Sequence, residues 1–315
     1  MSTTKNNYTN GFPKVCVVAQ NSIIAKAYVA SLQFLDFKNI SEIIVPNTKI
    51  LDAVAIENQI TLQNPSAILN TVNYTSSHVT NQTCSNNISQ TLKIQETLLQ
   101  IALKHHIDKL LFTGSHYSYT QTETNENYNL KKPFSYYKKS AAFIKISGTK
   151  GINTMRNKYQ KDFVSLIPSV VYGQNCDFST NSNEIIPIMI RKFQKAKLQN
   201  NRPVILWGTG MPRLDCLYLN DYVEAIKIML LTKSPESIIN VNSNDTISMS
   251  MLAKIIQKIV GHTGCIMWDD SKPEPITPVI TTSPLTAMGW QPKTDITTGI
   301  KLTYDFFLKE NDFKN

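Results

Sequence analysis

Three short stretches hold the residues best suited to acid–base chemistry. "GSHYSYT" (Gly114–Thr120) carries Ser115, His116 and Tyr117, "SYYKKSAAFIKISGTK" (Ser135–Lys150) carries Tyr136, Tyr137 and Lys145, and "NEIIP" (Asn183–Pro187) carries Glu184. Reducing a ketone needs a proton donor beside the carbon that accepts hydride. Inverting a carbon next to a ketone needs a base and an acid on opposite faces of the ring. A tyrosine hydroxyl can be that donor, and a cation on the same helix face, three or four residues away, lowers its pKa. The residue four before Lys145 is Ala141, which has no proton to give. Tyr137 lies one turn further back, roughly 5–6 Å along the axis, too far to replace a hydroxyl that must come within about 3 Å of its target. Tyr136 falls on another face. Glu184 has the chemistry of a base, while His116, at a strand end, reads as structural.

The elements that must position these groups follow from apolar periodicity. "KVCVVA" (Lys14–Ala19), "EIIVP" (Glu42–Pro46), "SAILNT" (Ser66–Thr71), "KLLFTGS" (Lys109–Ser115) and "DFVSLIPSVVYG" (Asp162–Gly173) are short, continuous apolar runs. Helical spacing follows the first of them, fills 88–106 and 140–160, and recurs at 184–197, 221–231, 248–261 and 298–310. Strands without polar alternation, separated by helices, predict an α/β fold with a doubly wound parallel sheet covered on both faces. The organisation expected is a mobile N-terminus over 1–13, a Rossmann-type core over 14–173, and a smaller substrate-type lobe over 174–315 whose strands and helices interleave with the core.

Bulk composition narrows the classes. The 315 residues are 42% hydrophobic and 17% charged, with only 11 glycines, few for a nucleotide-binding α/β protein. The net charge of +9 suits an anionic partner, although most cations are dispersed and read as solvated faces. Five cysteines, far apart and without a C-x-x-C pair, argue against a disulfide framework and a zinc site. No apolar run reaches membrane length. A reduced, cytoplasm-like compartment is expected, with neither membrane nor nucleic acid as partner.

In order and separation, "KISGTK", "IPSVVYG", "EIIPIMIRKFQKAK", "VILWGTGMPRLDCLYLND" and "MGWQP…GIKLTYDFFL" resemble the GDP-L-fucose synthase family of extended short-chain dehydrogenases, from about Lys14 to Lys309. The resemblance implies a Rossmann fold that binds NADPH and that epimerises and reduces a GDP-4-keto-6-deoxymannose. It also places the family's working positions. The three glycines of its phosphate-binding turn fall on Ala19, Ser22 and Ala25, and its serine and lysine on Ser115 and Lys145. Its tyrosine falls on Ala141, and its epimerising cysteine and histidine on Tyr117 and Glu184. Among its nucleotide-contacting positions Lys192 and Trp207 remain, while a polar Asn becomes Val170 and an arginine becomes Leu214, with Arg213 on the other side of an extended chain.

Losses in three separate parts imply a catalytically inactive pseudoenzyme, a structural or interaction subunit with no cofactor. Ala19 and Ser22 each put a Cβ where the family has none. The alternative is a divergent NADP-dependent nucleotide-sugar epimerase/reductase. A third reading is a regulator that holds a GDP-sugar through Lys192 and Trp207 alone. The family's habit of pairing through two long helices implies a partner, self or a related subunit, on helices near 89–105 and 140–160. Leu92, Leu99, Ile101, Phe143, Ile146 and Ile152 are the apolar candidates there.

Overall fold

The computed structural model describes residues 12–19, 22–45, 52–72, 81–114, 136–174, 176–180, 182, 184–272 and 284–310. The first half alternates strand and helix: β1 (Val15–Ala19), α1 (Ser22–Phe34), β2 (Ile40–Ile44), α2 (Ala53–Gln63), β3 (Ala67–Asn70), α3 (Asn81–Lys104), β4 (Lys109–Thr113), α4 (Tyr136–Tyr159) and β5 (Asp162–Pro168). Then come β6 (Val170–Tyr172), α5 (Ile185–Leu198), β7 (Val204–Trp207), β8 (Arg213–Leu214), β9 (Cys216–Tyr218), α6 (Leu219–Leu231) and β10 (Ile238–Val241). The chain continues through β11 (Ile247–Ser248), α7 (Met249–Val260), β12 (Ile266–Asp269) and α8 (Ile296–Glu310).

Six parallel strands form one sheet in the order β2-β1-β3-β4-β5-β10. The side-chain period of two divides β1 between two cores. Val15 and Val17 join Leu69, Leu111 and Leu166 on one face, whereas Cys16 and Val18 join Ile68, Phe112 and Phe163 on the other. Every residue of β1, β3 and β4 is therefore buried, and the sequence shows runs rather than alternation. A third core, around Phe193, Leu206, Ile256 and Phe307, holds the smaller lobe together. Residues after 173 do not stay in that lobe: Tyr222 and Ile226 of α6 pack under the sheet and β10 extends its edge.

Helix α2 is the element the sequence reading lacked. Only Ile56 and Ile60 of its residues are buried, so its apolar stripe is too thin to stand out. The helix is defined instead by its ends, with the Asp52 carboxylate accepting from the Ala55 N–H at 2.9 Å and Asn64 closing it in the left-handed conformation. On α4, a Cβ at Gly148 would stand 2.4 Å from the Phe112 ring, so glycine lets the helix lie directly on β4. That closeness has a consequence for the expected pairing surface. Leu99, Ile101 and Ile152 are buried in the core beneath α3 and α4, Leu92 and Ile146 are half-buried, and Phe143 is exposed.

The closing segment is tied to α6 by Asp221. Its carboxylate accepts from Lys293 N–H at 3.2 Å and Thr294 N–H at 3.0 Å, and its backbone carbonyl accepts from the Trp290 indole at 3.1 Å. Asp221→Ala leaves those two N–H groups without their acceptor, so a loss of about 2 kcal/mol is expected. Urea unfolding followed by tryptophan fluorescence checks it, and an unchanged midpoint would refute the staple.

Candidate functional site

The order of strands reverses between β1 and β3, and in doubly wound sheets ligands bind outside the carboxyl ends of the strands at such a point. Lys145 is delivered there by α4. Its ammonium donates to the Val72 carbonyl at 3.3 Å and to the Thr113 carbonyl, just past β3 and at the end of β4, and lies 4.9 Å from the Phe112 ring centroid. No carboxylate is paired with it among the described ion pairs. Burial alone pulls this amine down to about 7.

Thr113 also links the two faces of the sheet. Its hydroxyl accepts from the Tyr222 hydroxyl at 3.4 Å, and the Tyr222 ring meets the Tyr28 ring edge-on at 6.3 Å between centroids. Tyr28, on α1, is held well above its ordinary value by burial, then by Tyr222, Glu184 and Cys176. The contacts thus run from Lys145 through Thr113 and Tyr222 to Tyr28.

Glu184 stands at the N-terminal boundary of α5 with extended backbone, φ −81° and ψ 123°, and its side chain makes no capping hydrogen bond. The Cys176 thiol and the Asp177 backbone N–H favour the charged form of its carboxyl. The Cys176 sulfur in turn accepts from Gly173 N–H at 3.2 Å, and Glu184 N–H donates to the Ser182 hydroxyl at 3.1 Å. Glu184 keeps an exposed surface, yet protein atoms crowd its carboxyl and push it up to about 7, against the Cys176 thiol and Asp177 N–H that favour the charged form. Exposure and crowding coexist in a crevice, where water reaches one side of a group that protein surrounds on the others. Burial, then Glu184, holds the Cys176 thiol well above its ordinary value, so it stays protonated as a donor.

At the other positions, Ala19 and Ala25 have no exposed surface, so both methyl groups are packed at the junction of β1 and α1. Ser22 begins α1, whose first turn carries no acid. Ala141 lies in α4 one turn before Lys145, and Ser115 and Tyr117 lie outside the described residues. Lys192 donates to the Ile205 carbonyl at 2.9 Å, two residues from the half-exposed Trp207. Arg213 turns outward to the Thr246 hydroxyl at 2.8 Å while Leu214 is buried, the opposed placement expected of an extended pair. The structure therefore joins Lys145 to the strand ends and Lys192 to the Trp207 strand. It adds Cys176 and Tyr28, which the sequence reading left out. Cys176 is eight residues before Glu184 in a polar loop, and nothing local marks the two as neighbours.

A profile of the NAD dependent epimerase/dehydratase family matches residues 26–242. The chain is 29% identical over 304 residues to a GDP-L-fucose synthase of Sinorhizobium fredii, covering 94% of this chain and 95% of that one. It is 31% identical over 228 residues to "Probable GDP-L-fucose synthase 1" of Oryza sativa, covering 70% and 69%. The NADP-bound crystal structure of a GDP-L-fucose synthetase from Naegleria fowleri superposes with a TM-score of 0.77 at 18% identity, over 96% of this chain and 98% of that one.

Proposed function

Because the chain belongs to the NAD dependent epimerase/dehydratase family, among relatives of the GDP-L-fucose synthases, we propose that it is a divergent NADP-dependent nucleotide-sugar epimerase/reductase. The observation that carries this is Glu184: a solvent-reaching carboxyl beside the Cys176 thiol, at the position where the family keeps a proton-transfer group. Its pKa near 7 suits a base that must both take and release a proton at neutral pH.

The expectation that no cofactor binds rested on Ala19 and Ser22, and the packing weakens it. The methyl groups of Ala19 and Ala25 are enclosed by protein, and no acid in the first turn of α1 repels a pyrophosphate. Ala19 and Ala25 would lie behind the phosphate end of NADP, and Lys145 would serve its nicotinamide end. When bound, NADPH supplies the hydride. The chain's own task is to offer Lys145 near the strand ends and to hold the sugar against Glu184. Ala141 contributes no proton, so reduction is the step this chain supports least. Equilibrium titration of NADPH fluorescence is expected to give micromolar binding, followed by slow turnover of GDP-4-keto-6-deoxymannose.

A second reading, an inactive subunit that pairs with itself or a related chain through helices near 89–105 and 140–160, is favoured by Ala141 and by the engagement of Lys145 with backbone carbonyls. Absence of both NADPH binding and GDP-sugar binding at millimolar ligand would transfer the conclusion to it.

A further inference from the structure

The smaller lobe carries its charge unevenly. From Ile185 to Leu214 the chain has six cations and no acid, and from Thr246 to Trp268 it has two lysines and no acid. These stretches contain α5 and α7, which pack on one core. The turns that follow the two helices are laced together. Thr263 N–H donates to the Asn201 side-chain oxygen at 3.0 Å, Val204 N–H to the Cys265 carbonyl at 3.0 Å, and His262 Nε2–H to the Arg202 carbonyl at 2.8 Å. Both helices therefore finish at one corner of the lobe. Lys195, Lys197, Arg202 and Lys258 are exposed there, with Lys254 one turn back on α7, and Leu198 has 60% of its surface in water.

Helix ends attract cations, because their last carbonyls lack partners and the dipole there is negative. That need is met here without most of these side chains. At the end of α5 the Lys195 and Ala196 carbonyls accept from Gln199 N–H at 3.2 and 3.1 Å, and Arg202 N–H also donates to the Ala196 carbonyl at 3.2 Å. At the end of α7 the Gln257 carbonyl accepts from Gly261 N–H at 3.0 Å and His262 N–H at 3.1 Å. Lys197 serves a helix end directly, donating to the Val260 carbonyl at 2.8 Å. None of the described ion pairs includes a cation of α5 or α7. Helix α8, packed beside α7, sets Lys301 and Lys309 against Asp305 and Glu310, so the excess is particular to the α5–α7 corner. Clustered like charges repel one another, and an exposed leucine beside them gains nothing in water.

We propose that this corner is a docking surface for the anionic headgroups of a lipid bilayer, on which the protein lies without crossing it. The attraction of each lysine to a negatively charged bilayer adds to that of the next, and a leucine among them enters the boundary between headgroups and acyl chains. The residue types favour lipid over other polyanions. Lysine is depleted at interfaces between proteins. No phenylalanine, tyrosine or tryptophan stands between Lys195 and Arg202 or between Lys254 and Cys265 to stack on nucleic-acid bases. Leu198 has no task against a phosphate backbone, and it has one against a bilayer. The expectation of no membrane partner rests on the lack of a spanning run, and lying on a surface requires none.

The inference is independent of the nucleotide-sugar reading, and its test needs no sugar. The full chain is sedimented with vesicles of phosphatidylcholine alone and of phosphatidylcholine mixed with phosphatidylserine, at low and high salt. Wild type is expected to partition onto the mixed vesicles about 100-fold more strongly than onto phosphatidylcholine, and to lose most of that preference at high salt. The double variant Lys195→Gln, Lys258→Gln is expected to lose about 25-fold, roughly fivefold for each charge removed. Leu198→Ser is expected to lose about tenfold on mixed vesicles while its binding to polyglutamate and to duplex DNA stays as in wild type. All three side chains are exposed, so the fold does not depend on them, and circular dichroism checks that it is kept. Wild type left in the supernatant with mixed vesicles at low salt, or a double variant that sediments as wild type does, overturns the proposal. So does tighter binding to polyglutamate or duplex DNA than to the vesicles, which would assign the corner to an acidic protein or to nucleic acid.

Discussion

Asp162→Ala is expected to destabilise the fold by about 3–5 kcal/mol, the range for removing one partner of a buried ion pair. Asp162 begins β5 and takes Lys109 at 2.7 Å and Arg156 at 3.0 Å, and all three side chains are largely buried. Lys109, at the start of β4, also donates to the Met229 and Thr232 carbonyls, and Arg156 donates to the Ser234 carbonyl at 2.6 Å. Two strands, α4 and the end of α6 are thereby joined around one carboxylate. Burial pulls the Lys109 amine down, and Asp162 is the main group that restores its charge. Without Asp162 the two cations remain enclosed with only carbonyls for company. Urea unfolding of Asp162→Ala against wild type measures the loss, and a difference within about 1 kcal/mol would sink the account. Replacing Lys109 with methionine alongside Asp162→Leu should recover only part of the stability, since it removes the stranded Lys109 charge but leaves Arg156 without its carboxylate. The cluster lies at the amino ends of β4 and β5, away from the ligand edge, so the surviving folded fraction of the single variant should keep its ligand affinity.

Sequence patterns revealed the architecture because burial on both faces imposes a crude signal. Strands such as "VCVVA" and "KLLFT" must be apolar throughout, and each sends alternate residues into different cores. The helix α2 escaped because two buried isoleucines suffice to seat it at the sheet margin, and its Asp52 cap looks like any loop acid. The apolar faces of α3 and α4 were legible as faces, but not as to what covers them: the same Leu99 and Ile152 that suggest a partner surface lie on the sheet. The site was legible only as single residues. Lys145 could be picked out, but its acceptors at Val72 and Thr113 are 73 and 32 residues away along the chain. Glu184 could be picked out as a base, but the Cys176 thiol that bears on its charge comes from a loop whose path no periodicity encodes.

The stability of the folded chain should also record the state of Lys145 as pH changes. Its amine is buried against two carbonyls and the Phe112 ring, and burial lowers it from 10.5 to about 7. The unfolded chain therefore holds a proton on this group between about pH 7 and 10.5 that the folded chain has released. Stability rises with pH wherever the unfolded state binds more protons, so this residue makes the protein more stable as pH climbs through that window. Below pH 7 both states are protonated and the penalty is constant; above 10.5 both are neutral and it vanishes. The interval of about 3.5 pH units, at about 1.4 kcal/mol per unit, sets an upper bound near 5 kcal/mol. Lys145→Met removes the titration and also leaves the Val72 and Thr113 carbonyls without their donor, a loss that does not vary with pH. The absolute difference between variant and wild type thus mixes two effects, but its slope contains one. Unfolding free energies at pH 7, 8 and 9 should show the methionine variant gaining on wild type by about 1 kcal/mol for each unit the pH is lowered. A difference that stays flat across those three values would mean that the amine remains charged in the folded protein, held by its carbonyls more strongly than burial opposes it.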